Sequence, residues 1–173
     1  TNEINKNNLG YTVSLGLPAL RAKISNLYGD WYNLDLNPNR IVVTTGSSGA
    51  FILSFSALFD SGDRVGIGSP SYPSYRQILK SLSLETVDIQ TKLQNRFQPV
   101  PEDITNNNLN GILVASPANP TGSMLDKQSL ENLINTANEN NVSFISDEIY
   151  HGIQYENNPT SALEITDNCY VIN

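Results

Sequence analysis

Two continuous apolar runs, Gly111-Ile112-Leu113-Val114-Ala115 and Val142-Ser143-Phe144-Ile145-Ser146, constrain what this 173-residue chain can fold into. A strand on a half-solvated sheet alternates apolar and polar residues, whereas a run that is apolar throughout must bury both faces. Related short runs occupy residues 41–45, 64–68, 84–89 and 169–172. Between them lie segments with helical spacing. Apolar residues fall at 17, 20, 24 and 27 beside Pro18, residues 50–59 are mostly apolar, residues 75–82 follow a Pro-rich loop, and 126–140 carries apolar positions at 125, 130, 133, 134 and 137. A polar stretch through Asn110 holds only a short helical turn at 102–104. Strand alternating with helix predicts an α/β fold of three layers, α/β/α, with a mostly parallel sheet covered on both sides. No repeat or linker divides the chain, so residues 1–173 are expected to form one domain-sized piece.

Composition narrows the function classes. Ten Lys and Arg against 17 Asp and Glu give a net charge of −7, and no basic run occurs, so nucleic acid and anionic membrane are poor partners. One cysteine, Cys169, and one histidine, His151, leave neither an internal disulfide nor a Cys/His cluster for a metal. The polar start at residues 1–6 is unlike a signal peptide, and no run is long enough to span a bilayer, so a cytoplasmic protein is expected.

In open parallel sheets, ligands bind beyond the carboxyl ends of the strands. Four of the expected strands deliver distinctive residues there. Strand 41–45 leads to Gly46-Ser47-Ser48, strand 64–68 to Ser69-Pro70-Ser71-Tyr72-Pro73, strand 111–115 to Asn119-Pro120-Thr121-Gly122, and strand 142–146 to Asp147-Glu148-Ile149-Tyr150. The Gly/Ser turn reads either as a plain connector or as an anion cup whose free helix-start amides and hydroxyls hold a phosphate. It lacks the Lys of a Walker loop and is not Gly-x-Gly-x-x-Gly. Tyr72, between two prolines, is either a packing tyrosine or a platform on which a flat ligand stacks. Asp147 must be solvated, capped or paired with a cation, because lone burial of a carboxylate is costly. It is therefore either the cap of the following turn or a fixed anion facing a protonated ring nitrogen. Glu148 is expected at the surface or in a local salt bridge, His151 in a structural or exposed position, and Cys169 in the core.

Taken in order, Tyr11-Thr12-Val13-Ser14-Leu15-Gly16-Leu17-Pro18-Ala19-Leu20-Arg21, Thr45-Gly46-Ser47-Ser48-Gly49-Ala50, Ser69-Pro70-Ser71-Tyr72-Pro73, Ser116-Pro117-Ala118-Asn119-Pro120-Thr121-Gly122 and Ser146-Asp147-Glu148-Ile149-Tyr150-His151-Gly152 resemble the class I/II aminotransferases, fold type I enzymes dependent on pyridoxal 5'-phosphate. The resemblance implies an aspartate aminotransferase-like large domain that moves an amino group from an amino acid to a 2-oxo acid. It implies that Ser47 and Ser48 belong to the phosphate cup and that Tyr72 stacks on the pyridine ring. It further implies that Asn119 and Tyr150 hydrogen-bond the ring's phenolic oxygen, and that Asp147 pairs with the pyridine nitrogen, keeping the ring an electron acceptor. Asp147 and Tyr150 are on this basis the catalytic candidates. Tyr11 matches a tyrosine that reaches the phosphate of a neighbouring subunit, which implies a homodimer. Cis bonds are implied at Ser69-Pro70 and Asn119-Pro120.

The family's Schiff-base lysine follows the strand after the aspartate. Here the apolar residues Tyr170-Val171-Ile172 end at Asn173. The chain is therefore expected to be a partial large domain, without that lysine, the small domain and the amino-terminal segment, and inactive by itself. Lys80, Lys92 and Lys127 are not expected to replace the lysine. A β-lyase of the same fold and a noncatalytic module holding another phosphate ligand are the alternatives.

Overall fold

Parallel strands cannot be joined by tight hairpins, so the chain crosses over between them, and in three of the four described connections the crossover carries an α-helix. The computed structural model describes residues 10–11, 13–155 and 158–173. Residues 1–6 and Thr12 of the first motif lie outside them. The chain divides into two compact units, residues 1–44 and 45–173.

In the first unit, helix α1 (Pro18–Tyr32) opens with Pro at its first position, where a missing N–H costs nothing. It closes on Asn33 in the left-handed conformation, whose N–H donates to the Gly29 carbonyl. Arg21 is buried and spends its charge on backbone: Nη1 donates to the Pro38 carbonyl at 2.7 Å and Nε to that of Gly16 at 3.3 Å. Gly16 has φ +98°, and a Cβ there would lie 2.6 Å from the Val43 side chain, so only glycine fits.

The strand expected at 41–45 does not form. After a 3-10 turn (Pro38–Arg40), residues 41–44 are extended, but the cross-chain bond they make is from the Val43 N–H to the Leu15 carbonyl at 3.0 Å. β-branched residues favour extended backbone; a strand also needs a ladder partner, and no ladder to residues 41–44 forms among the described residues.

The second unit holds α2 (Gly46–Leu58), β1 (Arg64–Ser69), α3 (Pro73–Ser81), β2 (Glu85–Gln90), α4 (Pro101–Thr105), β3 (Gly111–Ala115), α5 (Lys127–Glu139), β4 (Ser143–Asp147) and β5 (Tyr170–Ile172). The strands form one parallel sheet in the order β2-β1-β3-β4-β5. Successive side chains of β3 and β4 point to opposite faces. Ile112, Val114 and Phe144 enter a core under α4 and α5 with Ile104, Leu130, Leu133 and Ile134. Leu113 and Ile145 enter a second core under α2 and α3 with Phe51, Phe55, Tyr75 and Leu79. This is the expected covering of both faces, and it accounts for the lack of alternation in those runs. Cys169 is only half-buried, packed at the margin of the first core.

The helices start where the sequence signals them. Asp126 caps α5 by accepting from the Ser129 N–H at 2.8 Å, and Asp103 folds back to accept from the Val100 N–H at the start of α4. The bonds Ser69-Pro70 and Asn119-Pro120 are cis as the resemblance implies; Ser116-Pro117 is cis as well. Among the described residues, no helix is long and apolar enough to cross a membrane.

Phe55 is fully buried between Phe51 and Phe59. Phe55→Ala removes a ring the sheet cannot close over, and is expected to cost about 3–5 kcal/mol. A urea-unfolding comparison, with the exposed Lys80→Ala as the silent control, measures this.

Candidate functional site

β4 is paired on both sides, with Asp147 level with Ala115 on β3 and Ile172 on β5. The backbone beyond it is pinned as well: the Ser116 N–H donates to the Asp147 carbonyl at 3.1 Å, and the Glu148 N–H to that of Ile172 at 2.7 Å. The Asp147 side chain is thus held at the carboxyl edge of the sheet, only 3% exposed. Oδ1 accepts from the Ile149 N–H at 3.3 Å, capping the turn that follows. Oδ2 accepts a short hydrogen bond from the Tyr75 hydroxyl. Among the described residues, no Lys or Arg is ion-paired with it. Burial raises the Asp147 pKa above the ordinary carboxylate value, against the opposing pull of Tyr75 and Ile149. Burial and the neighbouring carboxylate together push the Tyr75 phenol well above its usual value, so Tyr75 is the proton donor of the pair.

Tyr75 was not visible as a site residue in the sequence. It lies one helical turn beyond Tyr72, the residue that precedes α3, and the two rings meet edge to face at 5.5 Å. Tyr75 also meets Phe51 of α2 edge to face at 5.1 Å. Helix α2 is joined to β1 by the short connection 59–63 and runs back along the sheet, which puts its start at the carboxyl edge of the strands. Gly46, at φ +75°, makes the sharp entry into it. Ser47 is half-buried and Ser48 exposed in its first turn. Thr45 provides no side-chain cap for that turn, and a helix start of this kind favours an anion. No direct contact joins either serine to Tyr72 or Asp147 among the described hydrogen bonds.

Asn119 and Tyr150 do come together: Asn119 Nδ2 donates to the Tyr150 hydroxyl at 3.3 Å. Both line an open cavity of about 1000 Å³, whose wall also carries Arg96 and Lys127. The turn from Glu148 to Tyr150 that aims the tyrosine is closed by the His151 N–H donating to the Glu148 carbonyl at 2.8 Å.

One expectation for this segment needs correction, and one resolves to the first of its two alternatives. Glu148 is not at the surface; it is 1% exposed, with Oε1 accepting from Ser146 Oγ and the Ala162 N–H, both at 2.8 Å. Its own serine and amide donors make burial tolerable. His151 is not exposed either, but buried with Nε2 2.9 Å from the Ser116 carbonyl oxygen, the structural alternative. Tyr11 lies in the first unit, fully exposed.

The donor set suits a flat, anionic, nitrogen-containing ring ligand. Asp147 is a buried carboxylate in want of a cation, Asn119 and Tyr150 offer two polar groups to one acceptor, Tyr72 offers an aromatic face, and the start of α2 offers amides to an anion.

A family model for aminotransferase class I and II matches residues 2–171. The valine–pyruvate aminotransferase of Mycobacterium tuberculosis (strain ATCC 25618 / H37Rv) is 43% identical over 171 residues, covering 96% of this chain and 44% of its own length. A crystal structure of an aminotransferase from Mycobacterium tuberculosis superposes with a TM-score of 0.93 at 41% identity, over 98% of this chain and 48% of that one. A crystal structure from Silicibacter pomeroyi is 62% identical, with a TM-score of 0.89 over 90% of this chain and 42% of that one. The chain therefore spans less than half the length of the relatives it matches. Its sequence and fold place it among the class I and II aminotransferases, enzymes that work with pyridoxal 5'-phosphate.

Proposed function

We propose that this chain is the cofactor-binding part of a longer pyridoxal 5'-phosphate-dependent aminotransferase, which transfers an amino group from an amino acid to a 2-oxo acid. The observation that carries this is Asp147, a buried carboxylate at the sheet's carboxyl edge whose one strong partner is a neutral phenol. A protonated pyridine nitrogen supplies the missing cation. The bound cofactor supplies an electron sink for the substrate's α-carbon; the chain's residues hold the ring and set its charge. Asp147 keeps the ring nitrogen protonated. Tyr75 fixes the Asp147 carboxylate from the side away from the Ile149 amide. Tyr72 covers one ring face, Asn119 and Tyr150 hydrogen-bond the phenolic oxygen, and Ser47 and Ser48 with the first amides of α2 hold the phosphate.

The M. tuberculosis relative, a valine–pyruvate aminotransferase whose name pairs an amino acid with a 2-oxo acid, favours transamination over a β-lyase. A plain phosphate-binding module would have no use for Asp147. The same reading places the enzyme in the cytoplasm as a homodimer, with the exposed Tyr11 reaching the phosphate of a neighbouring subunit. The lysine that anchors the cofactor then belongs to the part of the enzyme outside residues 1–173, consistent with the 44% of the M. tuberculosis relative that this chain covers.

Three outcomes test the proposal in the complete enzyme carrying this chain. Asp147→Asn keeps the shape and removes the charge; kcat is expected to fall about a hundred- to a thousand-fold, and unchanged turnover would refute the assigned role. Borohydride reduction followed by peptide mapping is expected to find the cofactor on a lysine outside residues 1–173, whereas an adduct on Lys127, Lys92 or Lys80 contradicts the proposal.

The third outcome concerns pH. In the folded chain the Asp147 pKa is raised above its ordinary 3.8. The stability it contributes is therefore present below 3.8 and lost as pH rises through the raised value. A ring cation beside it removes that loss by favouring the ionised form. Stabilisation of the enzyme by the cofactor, read as the rise in thermal midpoint, should then grow between pH about 4 and 7. Asp147→Asn should flatten that dependence; an equal slope in the variant counts against the pairing.

A further inference from the structure

Gln98 lies in the polar stretch between β2 and α4 and has no part in the chemistry just assigned, yet it is only 3% exposed. Its Nε2 donates to the Ala115 carbonyl at 3.1 Å and to the Ser123 carbonyl at 3.0 Å, with Ser123 Oγ at 3.2 Å. Carbonyl oxygens can only accept, so the nitrogen of the carboxamide is the end that faces them. Ala115 closes β3, and Ser123 stands four residues beyond Asn119. One buried side chain therefore joins the two ends of the loop that carries Asn119.

That loop has few means of holding itself. Pro117 and Pro120 bring no N–H. Its internal bonds run from the Ala118 N–H to the Ser123 carbonyl at 2.9 Å and from the Gly122 N–H to the Ala118 carbonyl at 2.7 Å, and Thr121 Oγ1 lies 2.9 Å from Ser123 Oγ. These shape the turn without attaching it to the sheet. Among the described hydrogen bonds, residues 117–123 are tied to the rest of the chain by Gln98 and by the 3.3 Å contact of Asn119 with Tyr150.

The backbone before Gln98 is bent to deliver it. Arg96 and Phe97 both adopt the left-handed conformation, at φ 54° and 56°, which is unfavourable for residues with large side chains. Three backbone bonds hold the bend: Arg96 N–H to the Leu93 carbonyl and Phe97 N–H to that of Lys92, both at 2.9 Å, and Gln98 N–H to that of Asn95 at 3.0 Å. Neither Arg96 nor Phe97 is buried, so their own packing does not account for the conformation. Its consequence is the step from the exposed residues 92–97 to the buried Gln98.

We propose that Gln98 is a positioning residue for Asn119: its carboxamide clasps Ala115 to Ser123 and so fixes where the Asn119 side chain stands relative to Tyr150. The proposal rests on the reading of Asn119 as a cofactor contact for its effect on the chemistry, but not for the clasp itself.

Gln98→Met in the complete, cofactor-loaded enzyme keeps the length of the side chain and removes its donors. Hydrogen exchange read by mass spectrometry on peptides spanning 116–125 is expected to quicken about ten-fold while that of β1 stays native. Native exchange in 116–125 overturns the clasp. A double-mutant cycle with Asn119→Ala then tests positioning. Gln98→Met alone should lower kcat about ten- to a hundred-fold and move the pH midpoint of the bound cofactor's absorbance in the same direction as Asn119→Ala. It should add nothing to either in the Asn119→Ala background. An equal effect in both backgrounds, or native kcat and absorbance in Gln98→Met alone, overturns the positioning role. Should Gln98→Met not fold, Gln98→Glu, which keeps the shape and has at most one proton to donate, replaces it in both measurements with the same outcomes. Native absorbance in Asn119→Ala would instead defeat the reading of Asn119 as a cofactor contact, and the exchange rates, which do not depend on that reading, would still decide the clasp.

Discussion

A carboxylate at the end of a strand paired on both sides is shut off from bulk water, and the residues around Asp147 answer that one constraint. Transferring such a group from water carries an effective penalty of several kcal/mol before compensation. The Tyr75 hydroxyl and the Ile149 amide offset part of it. Neither carries charge, so the site retains a preference for a cation that a protonated heterocycle meets. The register Ala115, Asp147, Ile172 across three strands makes this position rigid, so its electrostatic effect is available without reorganisation when a ligand arrives.

Packing transmits that position outward. Phe51 of α2 leans on Tyr75 of α3, Tyr75 holds Asp147, and Tyr72 also meets Tyr75 edge to face. One aromatic column therefore links the helix whose start offers amides to an anion, the tyrosine with an open face, and the buried acid. On the other flank, Glu148 and His151 connect the turn after β4 to Ser116 and Ala162. The core side chains, by contrast, are interchangeable in kind: they fill the two layers between helices and sheet and need only the right volume.

The strands β3 and β4 could be recognised from their sequence because burial on both faces leaves a mark, an apolar run without alternation. The helix α5 carries its cap at Asp126 and its apolar positions in plain helical spacing. Residues 41–45 show the limit of that approach: their β-branched composition specifies extended backbone, while membership of a sheet depends on a neighbour that local sequence does not encode. Likewise Asp147 could be singled out because a carboxylate finishing a buried strand is hard to explain otherwise, whereas Asn119 and Tyr150 took their roles from the family resemblance. Tyr75 was hidden because an aromatic on a helix reads as core, although its spacing of three from Tyr72 placed the two rings on one face. Glu148 was misplaced for a general reason. Glutamate is rarely buried unless paired, and one of the donors that pairs it here, the Ala162 N–H, lies fourteen residues away in sequence.

The central claim is the charge on the ring beside Asp147, and ¹⁵N NMR of the complete enzyme loaded with ring-¹⁵N pyridoxal 5'-phosphate reads it directly. A protonated pyridine nitrogen in the native enzyme that becomes unprotonated in Asp147→Asn is the expected result. A ring nitrogen already unprotonated with Asp147 in place, or one unaffected by the substitution, would contradict the account.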